Sequence, residues 1–185
     1  MNFRETEILG AYIIDAVQYA DDRGIFQEHY NKNKYDSRVN ECKQISFSKS
    51  HKNVVRGIHC SSHGKLIQCI RGKIIDTVFD LRMSSPTYMK TFQVELSEYN
   101  SVQLFVPAGC GHGFLACEDN TTVLYAHEGC YDKDQEMNVN IFDPTFNVAC
   151  LTKDRSEYIM SEADKNAPFL VDAILIKAYK NQSHT

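Results

Sequence analysis

The chain is 185 residues long, 43% hydrophobic and 24% charged, with a net charge of −4. That length buries a real core without disulfides, and the mild negative balance argues against a protein that coats nucleic acid. No apolar run approaches the ~18 residues needed to span a bilayer, so neither a nucleic-acid nor a membrane partner is expected.

Seven cysteines, at 42, 60, 69, 110, 117, 130 and 150, form no CxxC pair. Met1 is followed by Asn-Phe-Arg-Glu-Thr-Glu, not by a basic and then apolar stretch. The expectation is a cytoplasmic protein with reduced thiols, several of them small core residues. With no repeat, low-complexity segment or linker, residues 1–185 read as one domain.

In chain order, Leu66–Ile70 and Ile74–Phe79 are rich in β-branched and apolar residues, and Arg71-Gly72-Lys73 between them reads as a tight hairpin turn. Phe92–Leu96 alternates with period two, and Val102–Val106 stops at Pro107, which cannot donate to a ladder. Gly109, Gly111 and Gly113 read as turn glycines, since no strand-to-helix context makes them a phosphate loop. Thr121–Ala126 is a further strand. Ser161-Glu162-Ala163-Asp164 reads as a helix start with Ser161 as N-cap, and Phe169–Lys180 as an amphipathic helix. Short strands between Gly, Pro, Asn and Ser clusters predict an all-β sandwich or barrel with short C-terminal helices.

The informative polar residues lie in or beside the strands: His59, Lys65, His112 and Tyr125. Taken singly, His59 reads as a surface or satisfied histidine, Lys65 as a solvated charge and Tyr125 as half-buried packing. Inside a barrel, however, His or Lys is costly without a ligand or partner. A metal site is disfavoured, because no His-x-His pair occurs and no Glu follows a histidine at cupin ligand spacing. Nothing marks Cys60 or Cys110 as an activated nucleophile.

A series of segments, in order, resembles the dTDP-4-dehydrorhamnose 3,5-epimerase family from about Asp22 to Pro168. Asp22-Arg23-Gly24-Ile25-Phe26-Gln27-Glu28 is similar to the family's DxRGxFxE, Arg56-Gly57-Ile58-His59 to its RGLH and Gly64-Lys65-Leu66 to its GKL. Asp80-Leu81-Arg82 with Ser85-Pro86-Thr87-Tyr88 resembles DLRxxSPT(F/Y). Val106-Pro107-Ala108-Gly109 with His112-Gly113-Phe114 resembles IPxGxAHGF.

The resemblance implies a cupin-like jelly-roll barrel, a homodimer, no metal and no cofactor. It implies epimerisation at C3, C5 or both of a nucleotide-diphospho 4-keto-6-deoxy sugar, where the C4 ketone acidifies both neighbouring hydrogens. By resemblance His59 matches the general base, Asp164 the carboxylate that holds it, Lys65 the cation near the sugar oxygen and Tyr125 the general acid. Tyr131 matches a second active-site tyrosine. Arg23, Glu28, Gln44, Arg56, His112 and Glu136 match substrate-contacting positions, with Arg23 and Glu28 expected to serve the partner's site.

The departures are local. Cys60-Ser61-Ser62 replaces an aromatic and Gln after the histidine, and the loop to Lys65 is shorter than usual. Ala163 stands where the family has Lys before the dyad Asp; Val123-Leu124-Tyr125-Ala126 lacks the Lys of FLYK; a Tyr-Tyr pair has become Cys130-Tyr131. Two competing readings stay open at this stage: a 3,4-ketoisomerase of the same sugars, and a silent sugar-binding barrel.

Overall fold

In a computed structural model of the protein, residues 2–35 and 37–182 are described, 178–182 through their backbone. Strands dominate. One sheet has the order β1 (Asn2–Glu5), β2 (Tyr12–Asp15), β10 (Val102–Val106), β7 (Lys65–Arg71), β12 (Thr121–His127), β5 (Gln44–Ser50). The facing sheet runs β13 (Met137–Asn138), β6 (Val55–Cys60), β11 (Cys110–Ala116), β8 (Lys73–Asp80), β9 (Thr91–Ser97). Strands β3 (Gln18–Asp21) and β4 (Gly24–Gln27) form a separate ribbon. Every paired strand is antiparallel, and the two main sheets close into a jelly-roll barrel.

The expected strands are present, but one connection differs. Gly72 does not turn a hairpin: β7 and β8, on either side of it, belong to different sheets. Gly72 has φ +70, and its carbonyl accepts the Glu98 amide at 3.1 Å. A single left-handed residue turns the chain out of one layer into the other, a bend that favours glycine. Gly111 and Gly113 are likewise strand residues within β11 rather than turn residues.

Apolar side chains of both sheets meet between them, including Ile67, Leu104 and Val123 from one and Ile74, Val78 and Phe114 from the other. The outer face of the five-stranded sheet buries Val55, Ile58 and Phe79 under Ile141, Tyr158 and Met160. Helix α2 (Leu170–Gln182) joins this layer through Leu170 and Ala173, spaced one turn apart. The outer face of the other sheet packs Leu66, Phe105 and Ala126 against Tyr35 and Val39.

The Asp80–Thr87 motif is structural. Fully buried Asp80 accepts from Arg82 Nε at 2.8 Å and from the Ser85 and Thr87 hydroxyls at 2.6 Å each. Arg82 also donates to the Leu9 carbonyl at 2.7 Å, tying the loop after β8 to the N-terminal strands. Burial alone would raise the Asp80 carboxyl, but the bonds from Arg82, Ser85 and Thr87 outweigh it and hold it well below the ordinary range. A depressed folded-state pKa stabilises the fold above the unfolded-state pKa, and that contribution is lost as pH falls through the folded value. An Asp80→Asn variant is therefore expected to lose about 3 kcal/mol of stability at pH 7 in urea unfolding. The gap from the parent should narrow below the ordinary aspartate range; an equal gap at acid pH would show that charge is not involved.

Candidate active site

Strand β6 carries one extra residue against its neighbour. His59 pairs with His112 and Arg56 with Phe114, so Gly57 and Ile58 together face the single residue Gly113. This is a β-bulge, and it breaks the period-two alternation. Arg56 and His59 consequently both face the interior cavity, while Val55, Ile58 and Cys60 are buried in the layer behind. Glycine is required at the bulge: Gly57 has φ +110, and a Cβ there would meet the His112 carbonyl and the Gly113 Cα at 2.6 Å.

The cavity, about 320 Å³, opens at one end of the barrel. Gln44, Arg56, His59, Lys65, His112, Tyr125, Tyr131 and Glu136 all line it, drawn from both sheets and from the loop after β12. Asp164 sits behind His59. The short helix α1 (Glu162–Lys165) begins at Ser161, whose hydroxyl accepts the Asp164 amide at 3.0 Å. That cap sets the aspartate so that Oδ1 lies 2.7 Å from His59 Nε2. Burial pushes the Asp164 carboxyl up, but the His59 hydrogen bond and charge, with Ser161 and the Gly57 amide, overcome it and leave it below the ordinary range.

On the opposite wall, register places Gln44, His127 and Lys65 side by side across β5, β12 and β7, with Ser46, Tyr125 and Ile67 one step further along. Burial pushes the Tyr125 phenol well above its ordinary range, against the hydrogen bond it shares with Ser48 at 3.0 Å. Buried Lys65 has its ammonium pulled downward by desolvation, a shift that Glu136, Cys60 and Asp76 oppose. At the mouth, the Tyr131 amide donates to Gln44 Oε1 at 2.9 Å, and Ser61 donates to Glu136 Oε1 at 2.5 Å.

Arg23 and Glu28 lie outside this cavity. Arg23 is at the tip of the β3–β4 ribbon, paired with Asp21 at 2.6 Å, and Glu28 is held by Lys34 and Asn31. The sequence reading missed Asp76, which is fully buried with Oδ2 2.9 Å from His112 Nε2. Burial pushes its carboxyl up against the pull of His112, and its Oδ1 has no hydrogen-bond partner among the described residues. The signal was available: an aspartate two residues from Ile74 and from Val78, on the core-facing side of an apolar strand. Ser46, Ser48, His63, Phe114 and His127 also line the cavity without having been singled out. Among the described residues no cluster of three His, Cys, Asp or Glu is arranged to hold a metal.

Lysine burial gives a testable cost. A base whose pKa is lowered by folding destabilises the fold fully below its folded-state pKa, and the penalty fades as pH rises from there to the unfolded-state value. Lys65→Met is expected to raise stability at pH 7 by on the order of 1 kcal/mol, with the gain shrinking towards pH 10. Urea unfolding at both pH values measures this; a destabilised variant at pH 7 would refute it.

Comparison with known proteins agrees with this architecture. The sequence profile described as dTDP-4-dehydrorhamnose 3,5-epimerase matches residues 5–172. A dTDP-4-dehydrorhamnose 3,5-epimerase of Shigella flexneri is 34% identical over 180 residues, covering 94% of this chain and 98% of its own. A dTDP-4-dehydrorhamnose 3-epimerase of Streptomyces niveus is 32% identical, covering 94% and 86%. Among solved structures, the Legionella pneumophila dTDP-6-deoxy-D-glucose-3,5-epimerase in complex with dTDP-4-keto-L-rhamnose superposes with TM-score 0.87 at 29% identity, covering 97% of this chain and 96% of that one. The barrel is thus that of the cupin-fold epimerases, and this chain belongs to the dTDP-4-dehydrorhamnose 3,5-epimerase family, an enzyme of the isomerase class.

Proposed function

We propose that the cavity epimerises a nucleotide-diphospho 4-keto-6-deoxy sugar at C3, C5 or both, through an enolate, with His59 as base and Tyr125 as acid. One observation carries this reading. A histidine backed by a buried carboxylate and a protonated phenol stand on opposite sheets of one cavity, with a desolvated ammonium beside them.

The groups divide the reaction between them. His59 removes the proton from the carbon next to the ketone, and the Asp164 carboxylate stabilises the imidazolium that forms. The C–H electron pair moves into the ring as an enolate, whose oxygen charge Lys65 opposes; in a dry site such a contact is worth about 3 kcal/mol. Tyr125, kept protonated by burial, returns a proton to the opposite face. Exchange with solvent then resets both residues. Arg56 offers a planar fork suited to phosphate, and His112, Gln44, Tyr131 and Glu136 complete the substrate contacts. Relatives named for both 3,5- and 3-epimerisation support the reaction class and leave the number of inverted centres to experiment.

We further infer one domain acting as a homodimer. The β3–β4 ribbon exposes Tyr19, Ile25 and Phe26, and the edge strand β5 exposes Ile45 and Phe47. Exposed apolar residues on an unpaired edge are an association surface. The ribbon bears Arg23 at its tip and leads into Glu28, so pairing across this surface would supply charged groups to a second cavity.

Incubated in D₂O with a dTDP-linked 4-keto-6-deoxy sugar, the protein should incorporate deuterium at C3, C5 or both. Absence of exchange with every 4-keto nucleotide sugar would sink the reading. Asp164→Asn should lower kcat by about 10²–10⁴-fold with the fold intact. In Tyr125→Phe, deuterium wash-in should persist while inversion falls by at least 10²-fold, because His59 can return a proton only to the face it took it from. Equal loss of both would remove Tyr125 as the opposite-face acid. For assembly, light scattering should give a dimer mass, and Phe47→Glu should yield monomers with much-reduced turnover. A monomeric parent protein would overturn that part.

A further inference from the structure

Two histidines on the cavity wall take no part in these proton transfers. His63 lies in the shortened loop between β6 and β7, and His127 ends β12. Their rings meet edge-on, with His63 Nε2 3.3 Å from His127 Nδ1, and both line the cavity. That contact uses one nitrogen of each ring and leaves His127 Nε2 without a hydrogen bond among the described residues.

The pair is held uncharged. Burial, reinforced by the charges of Lys65, His63 and His112, brings His127 down to about 4, and burial with Lys65 lowers His63. Two neutral imidazoles sharing one hydrogen bond have two tautomeric arrangements. When His63 Nε2 donates, His127 Nε2 carries a proton and is a donor; when His127 Nδ1 donates, His127 Nε2 is an acceptor. A neutral group that can give or take one hydrogen bond matches a hydroxyl, which does both, better than a phosphate, which only accepts and favours a charged partner.

Its place in the barrel says which hydroxyl. His127 is the direct cross-strand neighbour of Lys65 and Gln44, and Tyr125 lies two residues further from the mouth, where Tyr131 is exposed. Two strand residues span about 6.7 Å, comparable to the breadth of a pyranose ring. A sugar whose reacting carbons lie between His59 and Tyr125 and whose C4 oxygen meets Lys65 presents its C2–C3–C4 edge to this rung, where His127 stands beside Lys65. On that edge the non-reacting hydroxyl is at C2.

We propose that His63 and His127 form a hydroxyl-reading pair that recognises the C2 hydroxyl of the keto sugar and so discriminates 6-deoxy from 2,6-dideoxy substrates. His127 makes the contact and His63 positions it. This rests on the epimerase reading given above.

The test is a cycle of two substrates and three proteins. Rates of deuterium incorporation are measured for a dTDP-linked 4-keto-6-deoxy sugar and its 2-deoxy analogue, with the parent protein, His127→Phe and His63→Phe. The parent should lose about tenfold or more in kcat/KM on the analogue, while in each variant the two substrates should agree within about twofold. Parent discrimination retained in a variant that still turns over would show that the pair only packs the loop, as would an equal slowing on both substrates. No discrimination by the parent would also overturn the proposal. Should one variant fail to fold, the other decides alone, since the residues sit on separate elements. Absence of exchange by the parent on either substrate marks failure of the epimerase reading itself, a result distinct from exchange without discrimination.

Discussion

One extra residue in β6 organises the cavity. Strict alternation would put Arg56 and Ile58 on one face of the strand and Gly57 and His59 on the other. The bulge opposite Gly113 instead turns Arg56 and His59 to the same side while Ile58 stays in the apolar layer. The local geometry needs both glycines, because the strands approach so closely that neither leaves room for a Cβ. The Gly57 amide also lowers the Asp164 carboxyl, so the strand that aims the histidine helps ionise its carboxylate. Local backbone and site electrostatics are one arrangement here.

The interior then sorts its ionisable groups by environment. Asp164 and Tyr125 are both largely buried, yet folding moves them in opposite senses relative to the ionised form. Asp164 has hydrogen bonds and an imidazole to stabilise its charge, whereas the Ser48 hydrogen bond and the Arg56 charge do not offset burial at the Tyr125 phenol. The consequence is a carboxylate that stays charged and a phenol that stays protonated at neutral pH, the division of roles that opposed proton transfer needs. Asp80 obeys the same physics for a different purpose: with five donor contacts from Arg82, Ser85 and Thr87 its charge closes a corner of the barrel rather than serving a ligand.

Strand positions were legible wherever alternation or β-branching was strong, as in Val102–Val106 and Ile74–Phe79. The bend at Gly72 was not, because a Gly between two apolar runs looks alike whether the chain returns to its own sheet or leaves it; only the pairing of β7 with β10 and β12 decides. Gly111 and Gly113 misled for a related reason, since glycine marks close backbone approach as well as turns. For the site, the motif resemblance indicated eight cavity residues and Asp164 behind His59. It passed over Asp76, whose meaning depends on which way β8 faces, and His63 and His127, which lie 64 residues apart in sequence and meet only when the loop folds against β12.

The departures from the family pattern gain meaning from where they fall. Ala126, in place of a family lysine, packs on the outer face of β12 with Leu66 and Phe105, away from the cavity. Ala163 is exposed on α1, while its neighbour Asp164 turns inward to His59. Neither change removes a side chain from the cavity wall as it stands, so neither disturbs the proposed base or acid. The shortened loop is different, because it delivers His63 onto His127 directly beside Lys65. Under the proposed reaction, divergence that spares the proton-transfer groups and alters the wall one rung away bears on what is bound more than on what is done to it.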